Sequence, residues 1–130
     1  MDENTKAMWL KRVLVFNMIV AILIWGLPLW IGPKTILTAL KITVPSDLFY
    51  MRIFGAIQLG FAYLLWLAYE NPVMNRDIIR FNVVENAIVL ITIVGYQLAF
   101  GIKDSLVWFS ALLVLFFGAA YYLLTPASNS

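Results

Sequence analysis

Apolar residues along this chain fall into four long runs, separated by short clusters of polar residues, glycine and proline. A membrane-crossing helix takes about 20 predominantly apolar residues. The pattern predicts helices over about residues 10–31, 47–70, 77–100 and 105–124 and a single four-helix transmembrane domain over residues 1–130. The boundaries carry their own signals. Gly32-Pro33 ends the first run, and Pro28 inside its last turn is expected to kink it. Ser46 and Asp47 offer caps for the second helix, which Asn71-Pro72 stops. The third starts near Asn75 to Asp77 and ends at Gly101 as C-terminal cap. Asp104-Ser105 starts the fourth, and Thr125-Pro126 follows its end. The stretch from Lys34 to Val44 is too short to span and is expected in the interface, as a connector or a small lid. The polar tail from Pro126 is expected to be disordered.

Composition turns this pattern into a fold class. Soluble domains are about 45–50% apolar and roughly 25% charged, whereas here 63% of residues are hydrophobic and 12% charged, with mean hydropathy +0.90. The chain needs lipid as solvent, and the class is an all-α integral membrane bundle. Lys6, Lys11 and Arg12 precede the first run as they would in a signal peptide. That run, Val13 to Ile31, exceeds the 7–15 residues of a typical signal core, so a retained helix is expected.

The nine basic residues are scattered, so they are read as orientation signals and no nucleic-acid partner is expected. Lys6, Lys11, Arg12, Arg76 and Arg80 on the terminus side outnumber Lys34, Lys41 and Lys103 opposite, which favours both termini in the cytoplasm. With no cysteine and no histidine, disulfides, thiol redox chemistry, the usual zinc sites and imidazole ligation of haem or chlorophyll are excluded.

The residues that lipid does not explain are polar ones inside the spans. Asn82, Glu85, Asn86 and Gln97 fall on one face of the third helix. Glu85 lies about eight residues in, or ~12 Å. A carboxylate at that depth must be protonated, paired or hydrated. The second helix offers Arg52 and Gln58, with Gln58 nearer the level of Glu85. These six residues are the candidate lining of a polar pocket; the alternative is interhelical hydrogen-bond glue. Gly55, Gly60 and Gly118-Ala119-Ala120 are expected where backbones approach closely. Trp25, Trp30, Tyr50, Trp66, Tyr69, Trp108, Tyr121 and Tyr122 are expected at interfacial belts. No cofactor is required by these residues, although a quinone, lipid or pigment is compatible with the aromatic content.

From Phe49 to Leu124 the chain shows MRIFGAIQLGFAYLLWLAYENP, then a polar helix ending VGYQLAFG, then a helix ending AAYYLL. This arrangement resembles the DoxX-like small four-helix membrane proteins. The resemblance implies a compact four-helix bundle, with some relatives linked to quinone-dependent sulfur oxidation or redox homeostasis, and aligns Arg52 and Gly55 with an Arg-x-x-Gly element. Two functions are expected from the whole. The first is a non-catalytic accessory subunit of a larger membrane complex or a homo-oligomer, in contact with lipid. The alternative is a DoxX-like binder of a quinone or other small molecule in a polar intramembrane pocket. A proton path would need more ionisable groups than Glu85 and Arg52 provide.

Overall fold

The computed structural model describes residues 2–39, 42, 47–102 and 104–126. Over these the chain forms α1 (Glu3–Ile31), α2 (Lys34–Ala39), α3 (Phe49–Glu70), α4 (Arg76–Ala99) and α5 (Ser105–Leu124). No strand occurs among the described residues. The helices α1, α3, α4 and α5 are long and apolar enough to cross a membrane. Lys41, Ser46, Lys103 and the tail beyond Pro126, to which sequence signals were assigned, lie outside the described residues.

Helix α1 starts well before its apolar run because the polar N-terminus caps itself. Asp2 Oδ1 accepts the Thr5 amide at 2.7 Å, Glu3 sits at the positive end of the helix dipole, and Lys6 pairs with Glu3 at 3.8 Å. The Thr5 amide holds the Asp2 carboxyl below the ordinary carboxylate range.

The expected distortion from Pro28 takes a definite form. Proline has no N–H to give Ile24, and its ring crowds that carbonyl. The helix widens into a π-helical turn over Ala21–Gly26, where the Leu27 amide reaches back to Ile22 O. Pro33 leaves a second carbonyl without its donor, that of Leu29. Arg52 Nη1 from α3 fills the vacancy at 3.2 Å.

Two close approaches set the bundle. A Cβ on Gly55 would stand 2.4 Å from Trp30 N and 2.7 Å from Gly26 O, so α3 lies backbone against backbone on the end of α1. A Cβ on Gly118 would meet Asn86 Cβ at 3.3 Å, which brings α5 against α4. Gly60, expected to serve the same purpose, faces open space. It sits one turn past the crossing, five residues from Gly55 and on another side of the helix.

Helix α1 packs against both α3 and α5, and α4 packs chiefly on α5. Although α3 and α4 are joined by a short connection, they touch little; Phe61 and Phe81 meet with ring centroids 6.3 Å apart. That connection is held by Asn71 Oδ1 accepting the Met74 amide and by Asn75 Nδ2 donating to Leu67 O. The two helices diverge above it, where α4 presents amides and a carboxylate rather than an interlocking apolar ridge.

The close-packed core therefore occupies the half of the bundle nearest the termini. Leu10, Leu14, Leu65, Ile79, Phe117 and Tyr121 are fully buried there. Tyr121 was expected at the interface, but its hydroxyl has a partner inside: Asn17 Nδ2 donates to it at 2.8 Å. Around the outside, large apolar side chains such as Ile57, Ile91, Leu98 and Leu112 are exposed on every long helix. In water such a surface would aggregate; in lipid it is ordinary.

Candidate functional site

The diverging half of the bundle forms a partly open cavity of about 420 Å³, lined from all four long helices. Its walls are apolar: Leu29 from α1, Met51, Phe54 and Phe61 from α3, Val89 and Ile93 from α4, and Leu106, Val107 and Val114 from α5. Its inner end, near mid-span, is polar, with Asn17, Gln58, Asn82, Glu85 and Asn86. Ile42 and Asp104, from the two connections of the opposite face, stand at the outer end. In α2 Leu37 is completely buried, and the Ile42 amide donates to Leu37 O at 3.0 Å.

Four of the six sequence-predicted residues meet here: Gln58, Asn82, Glu85 and Asn86. Helical spacing puts Asn82, Glu85 and Asn86 on one face of α4, and Gln58 comes to their level from α3. Two of the six lie elsewhere. Arg52 is committed to Leu29 O, and Gln97, exposed near the end of α4, accepts the Ile102 amide on Oε1 at 2.7 Å and so caps the helix.

The hydrogen bonds fix what the inner end can offer. Asn82 Nδ2 donates to Ile78 O at 2.8 Å and Asn86 Nδ2 to Asn82 O at 2.7 Å. Only an NH₂ group can bond a carbonyl, so the oxygens of both amides are left as acceptors. Asn82 is fully buried and its Oδ1 has no donor. A buried acceptor without a donor costs about 1–3 kcal/mol. Glu85 is half-buried, has no hydrogen bond or ion pair among the described residues, and lies within electrostatic reach of Tyr121.

Three lining residues escaped the sequence reading. Asn17 is the lone polar side chain between Val13 and Ile31, a signal that could have found it. Ser110 is likewise isolated in α5, and Trp25, assigned to the interfacial belt, donates from Nε1 to Ser110 Oγ at 2.7 Å. The π-helical turn turns Trp25 inward, and no sequence rule anticipates such a turn. No cluster of potential metal ligands occurs among the described residues.

Comparison of the chain with protein-family models, with curated proteins and with solved structures yields no match.

Proposed function

We propose that this protein binds a small amphipathic molecule inside its transmembrane bundle. The observation that carries the reading is the cavity itself: apolar walls leading to a polar end at which Asn82 Oδ1 lacks a donor. Cavities of 300–1,000 Å³ with apolar walls and a few convergent polar groups are the usual form of a small-molecule site. The ligand's apolar body lies against Phe54, Phe61, Val89 and Val114, and its polar group reaches Glu85 and the amides. The reading agrees with the DoxX-like resemblance, under which a quinone or another membrane-soluble small molecule is the ligand class. It involves no catalytic residue.

Organic extracts of the purified protein test it. The wild type should release a small molecule in roughly equal amount to protein, and Val89→Trp, which fills the cavity, should release none. Circular dichroism of both proteins verifies that the variant is folded. Equal release from two folded proteins would overturn the proposal.

A second reading, an accessory subunit of a larger membrane complex, is favoured by one observation. From Val94 to Phe100 every residue of α4 and its C-cap is exposed in the lone chain, nearly two turns of surface open to a partner.

A further inference from the structure

The inner end of the cavity is rich in acceptors. Asn82 and Asn86 each give an N–H to a backbone carbonyl one turn back, which leaves their amide oxygens without a donor among the described residues. Glu85 adds a carboxyl group between them in sequence and has no cationic partner among the described residues. No basic side chain lines the cavity among the described residues. The arginine nearest in the chain to Gln58, Arg52, donates to Leu29 O and is not among the lining residues. A ligand ending in a carboxylate or phosphate would set negative charge against Glu85, and a quinone, having acceptors alone, would leave Asn82 Oδ1 without a donor. A donor carrying positive charge satisfies these acceptors together.

A desolvated ammonium is stabilised by a carboxylate and by amide oxygens, and both line the inner end.

Resting on the ligand-binding reading above, we infer that the ligand is an amphipathic amine, bound as its ammonium with the nitrogen at Glu85 and the Asn82 and Asn86 amides. Its apolar portion occupies the walls. Glu85 acts as counter-ion, and Gln58, whose amide has no fixed partner, completes the shell.

The test is calorimetric titration of the full chain in maltoside micelles with three probes of equal chain length, dodecylammonium, dodecanol and dodecanoate, and with decylubiquinone. Empty micelles give the partition background. The inference expects dodecylammonium to bind at least tenfold more tightly than the other three. It also expects Glu85→Gln, which keeps the side-chain shape, to weaken the ammonium by about 10- to 100-fold, the weight of one charge-assisted hydrogen bond. If Glu85→Gln fails to fold, the selectivity of the wild type alone decides. Tight binding of decylubiquinone, dodecanol or dodecanoate with no preference for the amine would overturn the inference while leaving the ligand-binding reading intact. Binding of none of the four would overturn both.

Discussion

Arg52 shows how a single residue finds its place through backbone accounting. Pro33 deprives the Leu29 carbonyl of its donor, and a guanidinium with five N–H groups can reach across to supply one. Replacing Arg52 by Met should lower stability by about 1 kcal/mol, measured by thermal unfolding in detergent, and leave ligand affinity unchanged, because Arg52 does not line the cavity. An affinity loss without a stability loss would put Arg52 back in the site. Sequence placed Arg52 and Glu85 in one pocket because intramembrane charges call for partners. It could not show that a proline five residues beyond Pro28 creates a competing acceptor. The stripe of Asn82, Glu85 and Asn86 was legible because helical spacing alone brings those residues together. Asn17 and Ser110 were not singled out, because one small polar residue on an apolar helix is most often local.

At the scale of elements, spans and their order were legible from apolar length and from proline and glycine stops, and α5 has its expected bounds. The early start of α1 was missed because Asp2 to Lys6 carries no apolar period, although its cap is visible in Asp2 and Thr5. Packing partners were less legible: short connections suggest neighbours, yet α3 and α4 part above theirs. Gly55 and Gly60 look alike in sequence and differ in space. Gly55→Ala should destabilise the bundle by about 1–3 kcal/mol, since its methyl group would overlap the α1 backbone. Gly60→Ala should be neutral or stabilising by up to about 1 kcal/mol, through helix propensity with no collision. Thermal unfolding of the two variants side by side checks the contrast; equal effects would contradict the crossing.

For the whole molecule, a tight core near the termini and an open half beyond it divide the bundle into a close-packed base and a hollow end. The excess of Lys and Arg beside the terminus-side ends proposes that the base faces the cytoplasm. Cysteines introduced singly at Asn4 and Thr35 test this, since the chain has none of its own. A membrane-impermeant thiol reagent added to intact cells should label the cysteine at position 35 and spare that at position 4; the reverse would invert the bundle and place the cavity end on the cytoplasmic side. Whether the cavity is a ligand site or a gap closed by another protein is decided by native mass spectrometry of the protein released from its own membrane in mild detergent. A ligand site requires the chain to carry a bound small molecule that Val89→Trp no longer retains. A larger protein in fixed proportion, with no small molecule on the chain, would contradict it and favour the accessory-subunit reading.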